Sequence, residues 1–401
     1  KQLFQSPDEA IFHKFNYKDR MKSIHKFIIP VIAIVAGFLF FQSCSKQGTD
    51  EILIGEYASL TGSEATFGQS SHNGLVLAVE EINSKGGLLG KKIKLVTEDN
   101  QGKPSETQTV VQKLINRDKV VAVIGEVASS RSKAGAPICQ SSKIPMITPA
   151  STNPEVTSIG DYIFRVCFID PFQATVMSKF ALNSMKVKKV ALLIDQKNAY
   201  STGLADNFRK VFTEMGGEIV EEQKYSNGDK DFKAQLTAIK AKNPEAVFIP
   251  GYYTDVNLIS IQAREIGLTV PLFGSDGWES EKLTEGKAKD ALEGSFFSTH
   301  VSSDDPSPQI QGYIKKYREK YGKEPDAMSF LAYDAGMILF DAIKRAGDTS
   351  GEKIKNELAK TKDYQGVTGI ITINEQRNAV KPAVVLEVKD GKFVYKETIA
   401  P

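Results

Sequence analysis

The sequence predicts an α/β protein built as two doubly wound, parallel-sheet lobes. Three observations carry that expectation. Short apolar β-type runs alternate with helical stretches from residue 51 onward, a second series of the same kind begins near residue 190, and the 401-residue chain is long enough for two cores.

The first series opens with Ile52-Leu53-Ile54-Gly55, a buried strand that stops at a loop, 58–68, rich in Gly, Ser and Thr. Leu75, Ala78, Val79 and Ile82 then fall at i, i+3, i+4 and i+7, so a helix follows, and Gly86-Gly87 supplies its left-handed stop. Residues 93–96 read as the next strand, 106–116 as a helix, and 120–125 as a run so apolar that both its faces must be covered. In the second series 190–194 and 246–249 are buried strands, 203–215 is a helix ending at Gly216-Gly217, and a helix over about 256–265 ends at Gly267. Leu272-Phe273-Gly274 is expected as the last strand of the second lobe, with 296–299 leading the chain back out. Helices over about 308–321 and 329–346 read as additions to the first lobe.

Composition removes several function classes. Lys and Arg number 51 against 49 Asp and Glu, a net charge of +2 with no long run of either sign, so nothing suggests a nucleic-acid partner. The three cysteines, Cys44, Cys139 and Cys167, sit in no CxxC or Cys/His spacing, which leaves a structural zinc site unsupported. Cys139 and Cys167 lie in contexts that read as apolar packing, with a disulfide between them as the alternative. His13 and His25 fall in a part expected to be removed, leaving His72 and His300 far apart in sequence. Asp99-Asn100-Gln101-Gly102 and Asp304-Asp305-Pro306 lack the spacing of a calcium loop and mark turns. No nucleophile motif, catalytic histidine pairing or phosphate loop is visible, so neither an enzyme nor a cofactor is expected.

The N-terminal part carries targeting information. Residues 21–43 have the plan of a signal peptide: a basic start at Met21, a short apolar run from Phe27 to Phe41, and Ser43 before the cleavage point. Cys44, directly after Ser43, resembles the lipidated cysteine of a bacterial lipobox, although Phe41 and Gln42 depart from its usual residues. Residues 1–20 read as an artefact of an early start site, and 44–50 as a polar tether. A protein held at a membrane by lipid alone, in the periplasm or cell envelope, is the expectation.

Doubly wound lobes bind ligands at the carboxyl ends of their strands. Three such ends are suggestive here: 125–130, 148–152 and 274–278. The loop-and-helix pattern of 130–139 would aim unpaired backbone N–H groups at an anion, and Ser129 either adds a hydroxyl to that site or caps its own helix. Arg131 reads as a solvated side chain at the helix start, with a second ligand anchor as the alternative, and Asp276 as a carboxylate that is either paired with a cation or exposed in a turn.

These segments carry a resemblance. Leu60-Thr61-Gly62 with Phe67-Gly68, the run 82–87 with Gly90, the run 145–150, Gly274-Ser275-Asp276-Gly277-Trp278 and Ala332-Tyr333-Asp334-Ala335 stand in the order and spacing of the branched-chain amino-acid-binding proteins of bacterial ABC transporters. The chain is similar to that family over roughly residues 51–398. The resemblance implies the type I periplasmic-binding fold with a multi-strand hinge. It implies lobe 1 at 51–170 plus 300–380 and lobe 2 at 171–299 plus 381–401. It implies an amino acid held by Ser129 and Thr152 at its carboxylate, by the Ala150 carbonyl and Asp276 at its ammonium, and by Tyr200 and Tyr252 from the second lobe. Ala128 joins that set, and Phe67 and Trp278 shape the side-chain subsite unless Trp278 packs in the hinge. The partners implied are an ABC permease and its ATPase, served by a monomer. Two rival readings remain at this point: a ligand-sensing ectodomain of the same fold, from which the stop at Pro401 argues away, and a binder of amides or aromatic acids.

Overall fold

The computed structural model describes residues 51–400. The segment 1–20, the signal 21–43, Cys44 and the tether 44–50 lie outside the described residues.

The first series folds into a five-stranded, all-parallel sheet in the order β2-β1-β3-β4-β5. Its elements are β1 (Glu51–Ala58), α1 (Ala65–Ser84), β2 (Lys92–Asp99), α2 (Pro104–Asn116), β3 (Ala122–Ile124), α3 (Ser129–Ser141), β4 (Met146–Thr148), α4 (Glu155–Ser158) and β5 (Ile163–Arg165). Strands β3 and β4 are buried at every residue, as their apolar sequences require. The order reverses between β1 and β3, which opens a crevice at their carboxyl ends.

The helix α5 (Asp170–Asn183) leads into the second series: β6 (Lys189–Asp195), α6 (Ala199–Glu214), β7 (Glu218–Tyr225), α7 (Lys233–Ala241), β8 (Ala246–Phe248), α8 (Tyr253–Glu265), β9 (Leu272–Gly274), α9 (Ala288–Ala291) and β10 (Phe296–Thr299). Two short 3₁₀ turns, Asp276–Trp278 and Glu281–Thr284, follow β9. After β10 come α10 (Pro308–Tyr321), α11 (Ala327–Ala346), α12 (Gly351–Ala359), a small antiparallel sheet of β11 (Tyr364–Gly366), β12 (Gly369–Ile373) and β13 (Ala379–Val380), and the strands β14 (Ala383–Lys389) and β15 (Lys392–Ile399).

The second sheet has seven strands in the order β15-β14-β10-β9-β8-β6-β7. This corrects the expectation that Leu272–Gly274 closes it: β10 pairs in parallel with β9 and antiparallel with β14, so the chain returns to the sheet twice more. No local pattern in 296–299 announces a partner almost ninety residues downstream. Here too the order reverses beside the first strand of the series, between β6 and β8. Two lobes each carry a switch-point crevice.

A second correction concerns α1. It begins at Ala65, inside the stretch read as loop, because Gly68 serves close packing rather than a turn: a Cβ there would stand 2.1 Å from the Ser59 carbonyl oxygen. The same logic seats α11 on α1, where a Cβ on Gly74 would lie 2.0 Å from the Ser329 carbonyl oxygen. Among the described residues no helix is long and apolar enough to cross a membrane.

Candidate ligand-binding site

The loops after β1, β3 and β4 in the first lobe and after β6, β8 and β9 in the second bring one cluster together. Phe67, Val127, Ser129, Ala150, Tyr200, Tyr252, Asp276, Gly277 and Met328 wall a narrow void of about 10 Å³, the space of roughly one water. The walls therefore nearly touch.

On the first-lobe side, Ser129 is the first residue of α3 and the cap position is Ala128, which makes no side-chain bond to the helix. Ser129 Oγ instead accepts the Asn153 N–H at 3.3 Å, so its hydroxyl is tied to the neighbouring strand-end loop and not to its own helix. The loop before it is held by the buried Glu126, whose carboxylate accepts the Ala128 N–H at 2.7 Å and the Asn100 amide at 3.1 Å. Thr152 is buried beside this wall, and its hydroxyl makes no hydrogen bond of good geometry. Its carbonyl accepts the Asp170 N–H at 3.0 Å. Burial pushes the Asp170 carboxyl up to about 7, with Asp276 adding to the rise and Thr152 opposing it.

On the second-lobe side, the Asp276 carboxylate is gripped at both oxygens. The Tyr200 hydroxyl donates to Oδ1 at 2.8 Å, and His300 Nε2 lies 3.1 Å from Oδ2. The Asp276 N–H donates to Gln173 Oε1 at 2.9 Å, and the Gly277 N–H to the Tyr200 oxygen at 3.0 Å. Tyr200 and Tyr252 stack 5.2 Å apart at 11°, and Phe67 meets Tyr252 edge-on at 5.6 Å, which joins an aromatic wall from both lobes. The Tyr252 hydroxyl is buried without a hydrogen bond of good geometry.

Direct bonds close the strand-end faces on each other. Asn153 Nδ2 donates to the Ala199 carbonyl at 2.8 Å, the Tyr253 hydroxyl to the Ser63 carbonyl at 3.1 Å, and Thr66 Oγ1 lies 2.9 Å from Ser280 Oγ. A larger cavity of about 540 Å³ lies elsewhere, among segments that include His300–Ser307, Gln365–Ile370 and Tyr395. The two share no lining residue, although His300 at the edge of the larger cavity lies 3.1 Å from Asp276 of the smaller. The smaller void is the better candidate because polar groups of opposite character converge there.

The chain matches the family described as "Periplasmic binding protein" over residues 51–392. It belongs to that family. A curated amino acid binding protein of Pseudomonas aeruginosa is 32% identical over 81% of this chain and 86% of its own length. The solved structure of a leucine binding protein from Thermotoga maritima is 41% identical, with a TM-score of 0.84 over 87% of this chain and 99% of that one. A branched-chain amino acid transporter substrate binding protein from Streptococcus pneumoniae, solved with isoleucine, is 34% identical, with a TM-score of 0.83 over 88% of this chain and all of that one.

In this periplasmic binding protein the residues singled out from sequence are distributed unevenly about the void. Phe67, Ser129, Ala150, Tyr200, Tyr252 and Asp276 line it; Ala128 and Thr152 stand buried just behind. Trp278 does not reach it. Its ring packs against Gly274 and lies 6.2 Å from Phe297, and its Nε1 donates to the Ile249 carbonyl at 2.9 Å. Val127, Gly277, Met328 and the supporting His300 and Gln173 were not found from sequence; the first two adjoin residues that were, whereas Met328 and His300 carry no local mark.

Arg131 corrects an expectation. It is 5% exposed, paired through Nη2 with the buried Glu64, and its Nε donates to the Gly102 carbonyl at 2.8 Å. Neighbouring Glu126 and Glu64 hold the guanidinium charged against burial. Cys139 and Cys167 are both buried free thiols, raised to about 12 by burial.

Proposed function

We propose that this periplasmic binding protein captures a branched-chain amino acid outside the cytoplasm, between its lobes, and hands it to an ABC transporter. The carrying observation is the opposed chemistry of the two walls. The positive end of α3 with the Ser129 hydroxyl suits a carboxylate on one side, and the Asp276 carboxylate suits an ammonium on the other. A zwitterion satisfies both. Phe67, Val127 and Met328 complete the wall with apolar surface, which favours an aliphatic side chain.

Lobe 1 (51–170 plus 300–380) presents Ser129, Ala150 and Thr152, and lobe 2 (171–299 plus 381–401) presents Tyr200, Tyr252 and Asp276. A void of about 10 Å³ cannot hold an amino acid, so a ligand enters only when the lobes part, and one that touches both walls then favours a shut form closed around itself. That shut form is what the permease reads. A binder of aromatic acids or amides is the weaker reading, since a ligand without an ammonium leaves the buried Asp276 unmatched by a cation. The role is one of binding and release without chemistry. Export on the 21–43 signal and lipidation at Cys44 would hold a monomer beside its transporter, and mass spectrometry of the mature N-terminus tests this.

The function is tested by calorimetric titration with leucine, isoleucine, valine and a panel of other amino acids and aromatic acids. Tight binding of the branched aliphatic members is expected; binding confined to ligands that lack an amine sinks the reading.

A further inference from the structure

The hinge side of the site contains a histidine that sequence reasoning set aside. His300 directly follows β10, at the point where the chain leaves the second sheet. Its ring is buried, stacked on Phe168 at 3.8 Å and 24°, with Nε2 3.1 Å from Asp276 Oδ2.

The tautomer follows from satisfiability. Nδ1 is buried with no hydrogen-bond partner, so a proton there would be a stranded donor, whereas a proton on Nε2 is received by Asp276. Burial also lowers the pKa of the imidazole from its ordinary value, against the opposing pull of Asp276. Lys381, the cation nearby, is itself buried, lowered to about 8, and donates to Thr368 Oγ1 at 2.5 Å. A neutral ring thus grips one carboxylate oxygen while the Tyr200 hydroxyl grips the other.

Neutral donors are the significant choice. A lysine or arginine at this place would hold the carboxylate equally well but would cancel the charge that attracts a ligand ammonium. We propose that His300 is the positioning residue of the ammonium subsite: its Nε2–H fixes the Asp276 carboxylate toward the cleft and leaves its negative charge for the ligand. This rests on the amino-acid-binding reading given above.

Leucine titration of the full protein with the variants His300→Leu, His300→Gln and Asp276→Ala separates the two ideas. His300→Leu is expected to weaken leucine binding roughly tenfold or more, the value of one hydrogen bond to a charged group. His300→Gln restores an N–H donor and is expected within about threefold of the parent. If His300→Gln is as weak as His300→Leu, the histidine matters only for packing and the inference is overturned. If His300→Leu binds normally while Asp276→Ala does not, the inference fails and the amino-acid reading stands. Normal binding by Asp276→Ala removes both. Nitrogen NMR of the unmodified protein gives an answer that does not depend on the variants folding: a ring protonated at Nδ1 alone overturns the proposal.

Discussion

The Glu279 carboxylate accepts the Ala327 N–H at 2.8 Å, so an acid from the turn after β9 sits on the first turn of the helix that packs against α1. Its other oxygen receives the Thr299 hydroxyl. The bond ties the second lobe's strand-end turn to a helix whose Met328 walls the binding void.

Burial raises the Glu279 carboxyl to about 8, with Asp326 and Asp276 adding to the rise. The folded state therefore keeps a proton that the unfolded chain gives up near the ordinary carboxylate value. Stability falls as pH rises from that value toward 8 and levels off above it. Glu279→Gln removes this dependence while Asp170 and Asp255, both raised to about 7, continue to act in the same direction. Between pH 6 and 9 the variant is expected to lose less Tm than the parent, by on the order of a few degrees. Equal losses in calorimetric scans would contradict the assignment.

Arg131→Met leaves Glu64 buried without its partner. Truncating one member of such a pair costs about 3–5 kcal/mol, and Asp195 and Asp255, raised partly by Glu64, already crowd it with like charge. Urea unfolding should show a loss of that order. A change under about 1 kcal/mol would return Arg131 to the solvated role its sequence position suggests.

Ser129→Ala distinguishes a ligand donor from a helix cap. The hydroxyl makes no bond to its own helix but accepts the buried Asn153 N–H, so a modest fall in melting temperature is expected together with a roughly tenfold loss of leucine affinity. A melting shift with unchanged affinity would reverse the conclusion.

Asp276→Ala is expected to weaken amino-acid binding at least about tenfold and to leave the affinity for a deaminated analogue nearly unchanged. Parallel titrations of leucine and 4-methylpentanoate decide it: equal loss for both ligands points to a general collapse of the cleft.

How much could be read from the chain depends on the distance over which each feature is specified. The helix of Leu75, Ala78, Val79 and Ile82 follows from periodicity, the stop from Gly86-Gly87, and the strands β3, β6 and β8 from unbroken apolar runs, all within a dozen residues, because burial is a local demand. Parallel connectivity then sends the loops to one end of each sheet, which marks the strand ends that hold Ser129, Ala150 and Asp276, whereas Tyr200 and Tyr252 and the role of each residue are what the family resemblance implies.

Features made by partners far apart in the chain needed the folded molecule. Arg131 looks solvated until Glu64, 67 residues earlier, is brought against it, and His300 looks inert until Asp276 faces it. Strand β10 has no mark of its own until β14 lies alongside, and Trp278 turns from the cleft because the Ile249 carbonyl is in reach of its ring. Hydrophobic pattern fixes which residues go inside, but the pairing of buried polar groups is settled only when remote segments meet, since each such group must find a partner wherever the fold supplies one.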